Sequence, residues 1–174
     1  MKQRKRILGL VLAALVLLTA CGRDGGADSA GIQESDTEGR VASSSDMAQV
    51  TEVVEQGMVP ISGEQLRDGT YSVTVDSSSS MFQVVDCQLT VENGAMTAVM
   101  TMSGTGYRYV YLGTGEEAAQ APEKEYIPYE EGEDGSHSFI IPVEALDAGI
   151  PCAAFSARKE MWYDRTLLFR ADSL

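Results

Sequence analysis

The residues with the greatest chemical reach in this 174-residue chain gather near its end. Trp162 and Tyr163 stand side by side, with Arg158, Lys159 and Arg165 within a few positions of them. A second group, Ser77 to Phe82, offers a run of hydroxyls that ends on the apolar pair Met81 and Phe82. An apolar lip facing an aromatic strand forms a slot for a flat ligand. Basic groups at the rim of such a slot pair with ligand carboxylates. Ser80, Met81, Phe82, Lys159, Trp162, Tyr163 and Arg165 are therefore the candidate ligand-binding residues. The plainer alternative makes Trp162 and Phe82 core residues and the basic groups a solvated face.

Other chemistries find little support. His137 is the single histidine and sits in a Gly/Asp turn with no base constellation around it, so no catalytic set is legible and the chain does not read as an enzyme. Zinc, which takes several His or Cys ligands, is disfavoured for the same reason. Glu130, Glu131, Glu133 and Asp134 lack the spacing of a calcium loop and read as a solvated turn. Gly113-Thr114-Gly115 is followed by two glutamates rather than Lys-Ser/Thr, which rules out a phosphate loop.

The elements that must position these residues are strands. Tyr71, Val73 and Val75 alternate with polar residues in one strand, and Val85, Cys87, Leu89 and Val91 do so in a second. Asn93-Gly94 supplies the tight turn into a third strand bearing Met96, Ala98, Met100 and Met102. Tyr107 to Leu112 forms a fourth, with Tyr107, Tyr109 and Tyr111 on one face, and Ser138 to Val143 a later one. Cys152–Ala157 and Met161–Phe169 flank the charged turn Arg158-Lys159-Glu160 as a closing hairpin. Gly115 to Ala121 reads as a short helix before Pro122, and Ser62-Gly63-Glu64-Gln65 as a capping box around a single turn. Short strands between Gly-rich turns predict an all-β, antiparallel sandwich over residues 62–174.

The beginning of the chain addresses it. Lys2, Arg4, Lys5 and Arg6 precede the apolar run Ile7 to Leu18, which is shorter than the roughly 20 residues of a membrane-spanning helix. Leu18-Thr19-Ala20-Cys21 resembles the lipobox of bacterial lipoproteins, where the cysteine is acylated and becomes the mature N-terminus. That resemblance implies a signal peptide over residues 1–20 and a lipid anchor at Cys21. It places the domain at the extracytoplasmic face of a bacterial, Gram-positive membrane. Removing the four basic residues leaves nine Lys+Arg against 26 Asp+Glu, a mature charge of −17. Such a chain is repelled by nucleic acid, which is not an expected partner. Gly22 to Asp46 is rich in Gly, Ser and Asp, so residues 21–61 read as the lipidated cysteine and a flexible linker. Val50, Val53 and Val54 within it fit either a short helix or a pre-strand. With Cys21 lipidated, Cys87 and Cys152 are an even pair in an oxidising compartment, which suggests a disulfide; two buried thiols in neighbouring strands are the alternative.

The order of features over residues 68–169 resembles the near-transporter (NEAT) domain, an immunoglobulin-like module displayed by Gram-positive bacteria. Asp68-Gly69-Thr70-Tyr71 is similar to its opening strand, Ser77–Phe82 to its lip, Leu89–Gly94 to the next hairpin, and Phe139–Leu146 to the strand before the last hairpin. The resemblance implies an Ig-like, NEAT-like sandwich, haem or a related flat tetrapyrrole as ligand, a role in iron transport, and hand-over to transport or surface proteins. It also carries a departure. The family's Tyr-x-x-x-Tyr places an iron-ligating tyrosine four residues before a supporting one, and here Lys159 precedes Tyr163. The other function in view is a surface interaction module of the same fold, holding a protein by its strand edges or its tyrosine face.

Overall fold

Alternating burial runs along the strands as the sequence pattern predicts, and it builds an antiparallel sandwich. A computed structural model describes residues 40–174; the expected signal peptide, the expected lipid anchor at Cys21 and residues 22–39 lie outside the described residues. In chain order the strands are β1 (Ile61–Ser62), β2 (Gly69–Ser72), β3 (Val75–Ser77), β4 (Val84–Glu92), β5 (Ala95–Met102) and β6 (Tyr107–Leu112). Helix α1 (Gly115–Gln120) follows, then β7 (Ile127–Pro128), β8 (Glu130–Glu131), β9 (His137–Val143), β10 (Ala145–Leu146), β11 (Gly149–Ser156) and β12 (Met161–Phe169). One sheet runs β3-β12-β11-β6-β7 and the other β2-β4-β5-β9-β8, with β1 and β10 as a small separate ribbon. Cys87, Leu89 and Val91 of β4, Met96, Ala98 and Met100 of β5, and Phe139 and Ile141 of β9 meet Val110, Cys152, Ala154, Leu167 and Phe169 from the facing sheet. That is the main core.

Local chemistry sets the turns. Asn93 and Gly94 both take positive φ (52° and 79°) and close the β4–β5 hairpin in the register Glu92 to Ala95. Gly63 opens a single 3-10 turn seated on this hairpin; a Cβ there would run into the Gly94 carbonyl, so only glycine fits. The capping box is present: the Ser62 amide donates to Gln65 Oε1 at 3.0 Å. At α1, the Glu117 amide donates to Thr114 Oγ1 (3.2 Å) and the Thr114 amide to Glu117 Oε2 (2.8 Å).

Three features differ from the sequence reading. The predicted first strand is two strands: β2 pairs with β4, then the chain crosses at Val73-Thr74 and β3 pairs with β12 in the other sheet. Both halves bury valines, Val73 and Val75, so alternation alone does not reveal the change of sheet. Residues 40–60, assigned to the linker, lie on the sandwich as a strap. Val41 bridges Trp162 in parallel, Ala42 and Val53 are buried, and the Thr51 amide donates to the Ser78 carbonyl at 2.9 Å. Val50–Val54, which fitted either a short helix or a pre-strand, forms neither.

A second, smaller core lies on the outer face of β11 and β12. Trp162 packs there with Phe155, Ala153 and Ala118 of α1, and Tyr126 meets its ring edge-on at 4.9 Å. The Gly115 amide, at the start of α1, donates to Asp164 Oδ1 at 2.6 Å and pins the helix over Trp162. The indole Nε1 has no hydrogen-bond partner, so the ring contributes by apolar burial alone. Trp162→Ala is therefore expected to lower the free energy of unfolding by roughly 3–5 kcal/mol. Urea denaturation checks this; a loss under about 1 kcal/mol would show that α1 and the strap do not depend on the indole.

Candidate functional site

Two β-bulges, one in each sheet, lie at the same end of the sandwich. In β6 the register passes from Phe155–Tyr109 to Ser156–Tyr107, so Arg108 is an extra residue. In β4 it passes from Asp86–Thr101 to Val84–Met102, so Val85 is extra and is left exposed. A bulge re-aims the side chains beyond it. Tyr109 and Tyr111 pack into the outer core, whereas Tyr107 packs against the main core and meets Phe82 edge-on at 4.9 Å. The expected single tyrosine face is thus divided by the bulge.

Between the bulges lies a cleft of about 270 Å³ lined by Met81, Gln83, Met102, Tyr107, Ser156 and Arg158. Its walls are tied together through the backbone. The Ser103 amide donates to the Gln83 carbonyl (2.9 Å) and the Ala157 amide to the Gly106 carbonyl (2.9 Å), joining the lip, the β5–β6 loop and the β11–β12 turn. The lip itself is one turn closed by the Phe82 amide on the Ser79 carbonyl at 3.1 Å, rooted by fully buried Phe82 with Met81 exposed above it.

The structure divides the candidate binding residues. Met81 lines the cleft, Ser80 is exposed on the lip, and Lys159 is exposed in the hairpin turn. Phe82 and Trp162 are both fully buried, in the main and outer cores respectively, so they do not face each other across a slot. Trp162 pairs with Phe155 on the outer face of the sheet, whereas Tyr163 pairs with Ala154 and Arg165 with Cys152, on the face turned toward the main core. Tyr163 is 9% exposed, with the Arg165 guanidinium 5.2 Å from its ring centre. Near Lys159, hydrogen bonds from Ser43 hold the Asp46 carboxyl below the usual carboxylate range, and the lysine charge adds a smaller pull. Sequence reasoning missed Gln83, Met102 and Ser156 and placed Tyr107 on the wrong face. The Ser103–Gly106 loop beside them was the available signal; the bulge has none.

The disulfide considered for Cys87 and Cys152 is not formed. Both are free and buried, Cys87 on β4 and Cys152 on β11, in opposite sheets of the main core. Burial pushes each thiol up to about 12 from 9.0; beside Cys152 the Arg165 charge opposes this only in part. Among the described residues no cluster of three or more His, Cys, Asp or Glu side chains is placed to hold a metal ion. No protein-family model matches the chain, and no curated protein matches it.

The raised thiols give a pH dependence. Because their folded values lie above the unfolded one, the unfolded chain loses these protons first as pH rises. Stability from the protonated thiols is complete below about pH 9 and falls between about 9 and 12. Urea midpoints taken across that range should decline less steeply in the Cys87→Ala/Cys152→Ala variant. In native protein at pH 7.5 neither thiol should react with a maleimide, whereas both should in urea; rapid native labelling would contradict the buried placement.

Proposed function

We propose that this chain is a lipid-anchored, extracytoplasmic binding protein that captures a small, flat, mainly apolar ligand bearing a carboxylate, in the cleft between the lip and the last hairpin. The observation that carries this reading is the pair of bulges that turns Tyr107 to the inner side and opens a cleft at one end of the fold. Met81, Met102 and Tyr107 give it apolar and aromatic walls, and Arg158 gives it a cation for a carboxylate. The volume is slightly below the common range for ligand pockets, roughly 300–1,000 Å³. It suits one edge of a flat molecule rather than an enclosed tetrapyrrole. Haem or a related tetrapyrrole, the ligand implied by the NEAT resemblance, would enter by its propionate edge, with Arg158 rather than a tyrosinate as the main polar contact. A role in iron transport, with delivery to surface or transport proteins, follows from the same resemblance and from the lipobox at Cys21.

Ligand capture is favoured over strand-edge docking by the sheet borders. The outermost strands β2, β3, β7 and β8 have only four, three, two and two residues, too short to template a partner strand. Tyr109 and Tyr111 pack into the outer core, so they do not make an open tyrosine face.

Titration with haemin and with metal-free protoporphyrin IX tests the proposal. Both should bind saturably, because recognition rests on the ring edge and a carboxylate and not on iron. Arg158→Ala should weaken both by roughly ten- to a hundredfold, the loss of one charge-assisted hydrogen bond. Tyr163→Phe should leave both unchanged. Binding of haemin alone, abolished in Tyr163→Phe, would replace this reading with tyrosinate ligation, and no saturable binding of either would end the tetrapyrrole reading.

A further inference from the structure

Arg165 is a buried cation with no counter-charge among the described residues. Its residue is 5% exposed, and its Nε has no hydrogen-bond partner. Both ion pairs among the described residues belong to Arg170, with Glu55 and Asp76. A guanidinium taken out of water is costly unless it is paired. In so acidic a chain a carboxylate within reach would be the common outcome, and among the described residues none pairs with it.

Its position explains how it is held. Along the edge of β12 turned away from β11, the Trp162 amide donates to the Arg40 carbonyl (2.6 Å) and the Ala42 amide to the Trp162 carbonyl (2.8 Å). Further along, the Ser78 amide donates to the Thr166 carbonyl and the Thr166 amide to the Ser78 hydroxyl, each at 2.9 Å. Backbone groups of alternate residues point to the same edge, so the Asp164 carbonyl points into the gap between these two attachments. Arg165 Nη1 donates to that carbonyl at 2.6 Å, and the guanidinium also lies over the Tyr163 ring. The group is thereby fixed in orientation, and the Nε edge is the side left without a partner. The strap residues 43–50 bridge the gap from Ala42 to Thr51, whose amide is bonded to Ser78. Gln49 and Val50 within this span are exposed.

We propose that Arg165 is an anion seat: its Nε edge, held at the gap in the β12 border, binds the carboxylate of a small molecule when residues 43–50 lift. A planar donor fork fixed by one hydrogen bond and one ring matches a carboxylate geometrically. The seat is separate from the cleft, whose lining does not include Arg165, so it stands or falls independently of tetrapyrrole binding.

The test is the arginine Nε–H signal in ¹⁵N NMR of the full-length chain, assigned by its absence from Arg165→Gln and from Arg165→Lys. Sodium succinate and inorganic phosphate are titrated separately at constant ionic strength. Succinate should shift the signal saturably and raise the melting temperature of the wild-type protein, and both variants should lose at least ninety per cent of that stabilisation. Absence of a saturable shift with either anion would overturn the proposal and leave Arg165 as a structural plug for the Asp164 carbonyl. Tighter saturation by phosphate than by succinate would overturn the carboxylate assignment. If Arg165→Gln does not fold, the wild-type titration and Arg165→Lys decide the outcome.

Discussion

Strand β12 is covered on both faces and engaged on both edges, and the other elements are arranged by what each of those four surfaces needs. Its inner face supplies Leu167 and Phe169 to the main core, while its outer face supplies Trp162 to a second one. A sheet with one apolar face needs one covering layer; Trp162 makes a second cover necessary on the other side. That cover is α1, drawn down by Asp164 onto the Gly115 amide, together with the strap at Val41. On one edge β11 completes the hairpin, and on the other β3, Ser78 and Ala42 share the backbone groups. Arg170, just past the strand, holds the strap by Glu55 and the crossing strand by Asp76, and both carboxylates keep its guanidinium charged well above its ordinary range. These pairs are partly exposed, so they locate the strap more than they stabilise it.

The lip end is built differently, by disrupting pairing rather than extending it. Each bulge adds a residue to one strand only, and the cleft lined by Gln83 and Tyr107 lies beside them. Fully buried Phe82 closes the floor of this end and leaves Met81 exposed beside it. An anchored residue beside an exposed one lets the lip be well rooted while its tip stays open to solvent. The same end carries Arg158 in a chain whose net charge is strongly negative, so the cleft has a cation at its wall.

The strands were legible because period-two burial is set by the pleat, and each alternating run in the sequence becomes a strand or a pair of strands. The caps at Ser62 and Thr114 and the turn at Asn93-Gly94 were legible because each motif is a local hydrogen-bond or dihedral requirement. What stayed hidden depends on partners distant in sequence. Trp162 beside Tyr163 reads as an aromatic cluster, yet adjacent strand residues face opposite ways, and only the position of α1 shows that both sides are buried. The strap has too few large apolar residues to look ordered; its placement rests on backbone bonds to Trp162 and Ser78, on the Arg170–Glu55 pair and on two small buried side chains, Ala42 and Val53. The bulge at Arg108 arises from register against β11, which no pattern within Tyr107–Leu112 contains.

The two free thiols and the lone buried guanidinium together show how the interior handles polarity. Cys87 and Cys152 behave as small apolar residues: burial raises their ionisation far enough that they remain neutral across the physiological range. Arginine has no such escape, because its guanidinium stays charged in proteins. Arg165 is therefore held by a carbonyl and an aromatic face, weak substitutes for a carboxylate. An apolar side chain of similar length would fill that place with less desolvation. A carboxylate arriving from outside the fold would supply the counter-ion that no described residue provides.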